Sequence, residues 1–263
     1  MNSKTTSKVL QNQYTLKSYG GYLKLILHKR NMRPAGYEKP KQNIKADRNA
    51  GKEASNISRA RSTVWELAMC NEFQYFVTFT LNKDKLNRYD LNGFNKKLGQ
   101  FIRDYRKKEG TDVQYLLVPE EHLKGGWHMH GLMNGIVESD LIKLSVKDYI
   151  PDELKEMIRA GRTLYKMKSY EEKFGWVIVE KIRSKEAIAG YMTKYINKNI
   201  GVSVTEKNKK AYYCSQGLKR SQVIKKGTFP TSIRNALQFD FENDYVLIRH
   251  IKEHELEMIL SQL

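Results

Sequence analysis

Between residues 58 and 200 the apolar positions follow two periods in turn. "SRARSTVWELAMCNE" sets its apolar residues at helical spacing, which predicts a helix entering a domain near Ser58. "FQYFVTFTL" at 73–81 is β-branched and aromatic, the composition of a buried strand. In "DLNGFNKKLGQFIRDYRKK" at 90–108, Phe94, Leu98, Phe101, Ile102 and Tyr105 fall at i, i+4, i+7, i+8 and i+11, an amphipathic helix. "VQYLLVP" at 113–119 predicts a second strand, ended by Pro119. The glycines at 125 and 126 mark a turn, and "WHMHGLMNGI" a third strand antiparallel to the second. Residues 138–170 are polar, helical in part at "PDELKEMIRAG", and read as a surface connection whose acidic run is a solvated face. "FGWVIVEKI" at 174–182 predicts a fourth strand, and "SKEAIAGYMTKYINKN" at 184–199 a helix with Ser184 as N-cap. Toward the C-terminus, "DYVLIRHI" is strand-like and "KEHELEMILSQ" helical.

Charge changes this picture. The chain has 263 residues, and 47 Lys and Arg stand against 29 Asp and Glu, a net charge of +18. Such an excess favours a polyanionic partner, with nucleic acid ahead of an acidic membrane surface. The first 60 residues alone hold 13 Lys and Arg against 3 Asp and Glu. Little apolar periodicity occurs there outside "GYLKLIL" at 21–27, so residues 1–57 read as a basic, partly disordered arm able to order on a phosphate backbone. Residues 58–202 read as the catalytic domain and 203–263 as a basic C-terminal extension. No apolar run is long enough to span a bilayer and no signal-peptide pattern occurs, so a cytoplasmic protein without membrane contact is expected. Cys70 and Cys214 are far apart and in no metal-type spacing, which fits buried thiols in a reducing compartment.

Candidate chemistry gathers in two places. On a strand, i and i+2 share a face. His128 and His130 therefore point together, while Trp127, Met129 and Gly131 point to the other side. Two imidazoles and a carboxylate from the preceding strand suit Mg²⁺ or Mn²⁺ bound to a phosphate. Glu120 is the preferred carboxylate, with Glu121 and His122 as alternatives. On the helix at 184–199, Tyr191 and Tyr195 lie at i and i+4 and stack on one face. Each is followed three residues later by a lysine, Lys194 and Lys198. Nearby positive charge favours phenolate and so a nucleophilic tyrosine. Taken alone, the tyrosines also fit a half-buried stripe with Ile188, Met192 and Ile196.

In this order the motifs resemble those of the rolling-circle replication initiators of the HUH endonuclease superfamily. "FVTFTL" at 76–81 resembles the first family motif, and "EEHLKGGWHMHGLM" at 120–133 the second, with His128 and His130 as the metal pair. "YMTKYINK" at 191–198 resembles the third, which carries the nucleophilic tyrosine and its lysine. The spacing Glu-x-His-x-x-Gly-x-x-His-x-His from Glu120 is similar to that of small circular-DNA virus initiators, where the Glu position is a ligand. The paired tyrosines resemble the two-tyrosine phage initiators, as does "YYCSQGLKRS" at 212–221. The resemblance spans about residues 73–200 and leaves the arm and the last fifth of the chain uncovered. It lacks the G-x-x-x-x-G-K-[ST] of initiators with a helicase domain.

The resemblance implies an α+β fold, a central antiparallel sheet flanked by helices of the ferredoxin-like or RNA-recognition type. It implies a metal-dependent enzyme that nicks and rejoins single-stranded origin DNA through a 5′-phosphotyrosine. Glu120, His128 and His130 would hold the metal. Tyr191 would attack first and Tyr195 second, steadied by Lys194 and Lys198, although one tyrosine could be structural. The partners implied are single-stranded DNA, the origin duplex, and a host helicase and polymerase. Two other readings stay open: a non-catalytic origin- or operator-binding protein, and a transposase or relaxase of the same superfamily.

Overall fold

A computed structural model describes residues 13–29, 49–122, 125–198, 210–230, 232 and 236–262. The chain divides into two compact units, Met1–Asp47 with Arg220–Leu263, and Arg48–Lys219. The fold is α+β, with one antiparallel sheet in each unit.

The smaller unit draws its sheet from both ends of the chain. β1 (Gln13–Tyr19) and β2 (Tyr22–His28) form a hairpin whose two-residue turn, Gly20–Gly21, has φ of 65° and 92°. Positive φ at both positions is what a hairpin matching strand twist requires, and glycine reaches it without a Cβ penalty. With β10 (Gln222–Thr228), β11 (Phe241–Glu242) and β12 (Val246–Ile251), the order is β10-β1-β2-β12-β11. Tyr14, Leu16, Leu23, Leu25, Leu27, Leu247 and Ile251 alternate onto one face and cluster with Ile259 of the helix α6 (Leu256–Gln262). These two first strands lie inside the segment whose sequence reads as a basic arm. The remainder of that segment's first 48 residues, 1–12 and 30–48, falls outside the described residues.

The larger unit opens with α1 (Asn49–Cys70), which begins nine residues before the start its periodicity indicates. "NAGKEAS" supplies helix formers but no apolar stripe, so periodicity alone does not register it. β3 (Tyr75–Thr80), β4 (Tyr115–Glu121), β5 (Trp127–Met133) and β8 (Val177–Lys181) are the four expected strands. Pro119 does not end β4. The strand runs on to Glu121, with Pro119 paired to Met129. Beyond Leu117 no described strand flanks β4 on its other side, and an edge is where sheets tolerate proline. Part of the stretch read as a surface connection also joins the sheet, as β6 (Leu141–Lys143) and β7 (Leu164–Met167) around α3 (Asp152–Arg159). A short α4 (Lys168–Lys173) follows, and β9 (Tyr213–Cys214) completes the order β6-β7-β8-β3-β5-β4-β9.

One face of this sheet packs on α2 (Leu91–Glu109), which is capped by Asp90 accepting from the Gly93 N–H at 2.9 Å. Phe94, Leu98, Phe101, Ile102 and Tyr105 of that helix meet Val77, Phe79, Leu117, Trp127, Met129 and Val179. Trp127 is therefore core. The other face carries α1 and α5 (Lys185–Lys198), which pack on each other, with α5 also against β4 and β5. Ser184 caps α5, accepting from the Ala187 N–H at 3.2 Å. No helix among the described residues is long and apolar enough to cross a membrane.

Candidate active site

Strand pairing brings the sequence-predicted residues together on the α5 face. β5 lies between β3 and β4, so each histidine has a neighbour on either side. His130 pairs with Thr78 and Val118, and His128 with Thr80 and Glu120. Thr78 Oγ1 is 3.1 Å from His130 Nδ1, and Thr80 Oγ1 is 3.1 Å from His128 Nδ1. A hydroxyl on each Nδ1 sets the ring plane and leaves Nε2 as the outward nitrogen, as holds for metal-bound histidine. The two rings lie parallel with centroids 6.2 Å apart.

Glu120 is opposite His128 in register, yet its Oε2 lies 2.6 Å from Nε2 of His130. His130 is buried, and its Nε2 has no aligned hydrogen-bond partner despite that contact. Both atoms carry lone pairs, so Glu120 and His130 are the two side chains on adjacent strands that a divalent cation could draw on here. Alternation separates the other candidates for third ligand. Glu121 pairs with Trp127 and turns with it toward the opposite face, while the His122 ring is 5.6 Å from that of His128. Among the described residues, no group of three or more His, Cys, Asp and Glu side chains is gathered closely enough to hold a metal as it stands. Glu120 and His130 are in contact, and His128 shares their face without closing on the same point. Burial, with the nearby His130 and His122, lowers the His128 pKa to about 4, so its ring is neutral and able to donate a lone pair at neutral pH.

The tyrosines of α5 stand over this cluster. Tyr195 stacks on His130, centroids 4.0 Å apart and planes 9° from parallel. Its hydroxyl donates to Tyr191 Oη at 2.7 Å. The two phenols differ in surroundings, because Tyr195 is 5% exposed and Tyr191 43%. Burial, the hydrogen bond to Tyr191 and the Glu120 charge push the Tyr195 phenol well above its ordinary pKa, so it stays a donor. Tyr191 packs edge-on against Phe76, with Lys194 Nζ 6.0 Å from its ring centroid. The side chain of Lys198 lies outside the described residues.

Three residues at the site were not singled out from the sequence. Thr78 and Thr80 were legible only as alternate positions of a strand, since their roles depend on its register with β5. The third is Arg88, from the loop before α2. Trp127 N–H donates to the Arg88 carbonyl at 2.9 Å, holding this loop against the glycine turn. Its buried Nε has no hydrogen-bond partner and borders a cavity of about 210 Å³ lined by Thr80, His122 and His128. A Cβ on Gly126 would sit 3.1 Å from that Nε, which explains a small residue there. Beside Tyr191 and Tyr195 opens a cleft of about 690 Å³ with Phe76, Met157 and Ile188 among its apolar walls, and with Arg162 and Arg183, both paired with Glu180, among its polar ones.

Residues 74–200, just under half of the chain, match a family model of replication-associated proteins, the one that includes the ORF2 replication-associated protein. That match supports a replication-associated protein of the Rep type, with DNA as its partner. No curated protein and no solved structure matches the chain.

Proposed function

We propose that the larger unit is a nicking–closing enzyme that acts on single-stranded origin DNA through a 5′-phosphotyrosine. The observation that carries this reading is the pairing of an exposed and a buried tyrosine above the histidine–carboxylate cluster. Tyr191 is reachable by a DNA strand, and its oxygen accepts a hydrogen bond from Tyr195, which stacks on His130. A donor aimed at the attacking oxygen orients it and stabilises negative charge as it develops in the transition state.

In the reaction, Tyr191 Oη attacks the scissile phosphorus and the P–O3′ bond breaks. The phenolic proton leaves to solvent from the exposed side, and the departing 3′ oxygen takes one up. The strand is then joined by its 5′ phosphate to Tyr191, with a free 3′ hydroxyl that a polymerase can extend. Rejoining is the reverse attack by a 3′ hydroxyl, and needs no ATP because the phosphotyrosine conserves the ester bond. Tyr195 is placed to become the second nucleophile when the next junction arrives. Glu120, His128 and His130 would hold Mg²⁺ or Mn²⁺, which supplies charge to polarise a non-bridging phosphate oxygen. Arg88, with its unpartnered Nε beside His128, would hold a phosphate oxygen at the same place. The apolar walls of the cleft, Phe76, Met157 and Ile188, suit unstacked bases, which supports a single strand as the substrate; Arg162 and Arg183 there are paired with Glu180.

The test is an SDS-resistant adduct on labelled single-stranded origin-like DNA. The account expects an adduct that chelator abolishes and that Tyr191→Phe/Tyr195→Phe lacks. Because the metal donors are not closed on one point, a non-catalytic origin-binding protein is the second reading. Tight binding with no adduct on any origin would establish that reading.

A further inference from the structure

The sheet face turned away from the tyrosines carries a second groove, of about 600 Å³, between α2 and the segment that enters β9. Tyr115 and Tyr213 pack against the α2 core, which fixes the face on which the groove lies. Its lining is basic and aromatic. Lys96 and Arg103 come from the outer side of α2 and Lys210 from the approach to β9, and all three are exposed. Tyr115, Tyr212 and Tyr213 are partly exposed between them. No carboxylate lines the groove, and none of the three cations forms an ion pair with a described carboxylate. Arg103 donates to Gln100 Oε1 at 2.6 Å, and Gln100 in turn donates to Asp104 at 2.7 Å, so no carboxylate touches the guanidinium directly.

Gly99 adds an independent observation. It sits in the middle of α2, where glycine costs about 1 kcal/mol relative to alanine. A Cβ there would meet only Arg103 Nη1, at 3.6 Å, an ordinary contact. The protein's own packing therefore does not call for glycine at this position. The residue lines the groove, and its missing side chain leaves the groove wider there.

We infer that this groove binds single-stranded DNA, with Lys96, Arg103 and Lys210 on phosphates and the tyrosine rings under bases. Alternating cations and aromatic faces are how a single strand is held without sequence readout, because every base has a face to stack. The groove and the tyrosine site lie on opposite faces of one sheet. One strand segment can thus be retained while another is cut. The inference does not depend on cleavage, so its test uses protein that cannot cleave.

The full chain carrying Tyr191→Phe and Tyr195→Phe is titrated with fluorescein-labelled oligothymidylate containing 5-iodouracil, then photocrosslinked and mapped by peptide. Crosslinks are expected at Tyr115, Tyr212 or Tyr213. Adding Lys96→Ala and Arg103→Ala should weaken binding about tenfold and reduce the slope of log affinity against log salt by about 1.4, since each single-strand phosphate contact contributes about 0.7. Adding Gly99→Leu instead fills the groove without changing charge, and improves helix propensity. It should lower DNA affinity while the thermal midpoint holds or rises. Crosslinks confined to the tyrosine face, with unchanged affinity and salt slope in both variants, would overturn the inference.

Discussion

The Tyr195 hydroxyl donates a hydrogen bond to Tyr191 Oη across 2.7 Å, and the donor is the buried partner of the pair. This orders two residues that the sequence presents as equivalent. The exposed phenol receives the hydrogen bond, so negative charge developing on its oxygen during attack is what Tyr195 can stabilise. Tyr195→Phe should leave an enzyme that still forms the first adduct, but slowly. A hydrogen bond to a charged group contributes about 1.5–3 kcal/mol, so the single-turnover cleavage rate should fall roughly 10- to 150-fold. An unchanged rate would remove Tyr195 from the first step.

The two threonines of β3 hold the histidine rings by Nδ1, at 3.1 Å each. Thr78→Val and Thr80→Val keep the shape and remove the hydroxyl. Loss of such a supporting partner lowers metal affinity about 10- to 100-fold. Mn²⁺ titration followed by electron paramagnetic resonance measures this without reference to cleavage. Thr→Ser at either position should recover most of the affinity.

Gly131 lies opposite Leu117, and a Cβ there would run into the Leu116 carbonyl oxygen and the Leu117 side chain. Gly131→Ala must displace backbone between β4 and β5, a cost of about 1–3 kcal/mol for forced overpacking. Urea denaturation should show a lower midpoint, and the contact between Glu120 and His130 should loosen with it.

Legibility from sequence followed how local each relationship is. The sharing of a face by His128 and His130 and the turning of Trp127 and Met129 to the opposite one follow from alternation along one strand, and both hold. The shared face of Tyr191 and Tyr195 follows from one helical turn, although their rings meet edge-to-face, 86° apart, rather than stacked. What periodicity could not give is register between strands distant in sequence. Thr78 meets His130 across 52 residues, and Arg88 reaches the site through a loop with no pattern. β6, β7 and β10 are short or highly polar, so their pairing partners rather than their composition make them strands. The sheet of the smaller unit joins Gln13–His28 to the last 42 residues, a pairing that neither segment signals alone.

That smaller sheet contains a pH-sensitive group of its own. His28 contacts Thr15 Oγ1 at 3.2 Å, and burial, reinforced by Lys226 and Lys17, lowers its pKa below the ordinary 6.5. The folded chain therefore binds fewer protons than the unfolded chain as pH drops below 6.5. The stability His28 contributes is full above 6.5 and is lost as pH falls through the lowered value. Thermal midpoints measured from pH 7.5 to 5 should fall less in His28→Gln than in the parent. Parallel curves for the two proteins would contradict this assignment.

Tyr191 as the first nucleophile, acting with Glu120, His128 and His130 on the phosphate, would leave a nucleotide on one identifiable side chain. Mapping the covalent adduct tests this most directly: the protein is trapped on single-stranded origin-like DNA with Mn²⁺, digested, and the nucleotide-bearing peptide sequenced by mass spectrometry. The account requires the nucleotide on Tyr191 in the first turnover, and its loss in Tyr191→Phe and in His130→Ala. A nucleotide found on Tyr195 alone, or on any residue outside α5, would contradict it.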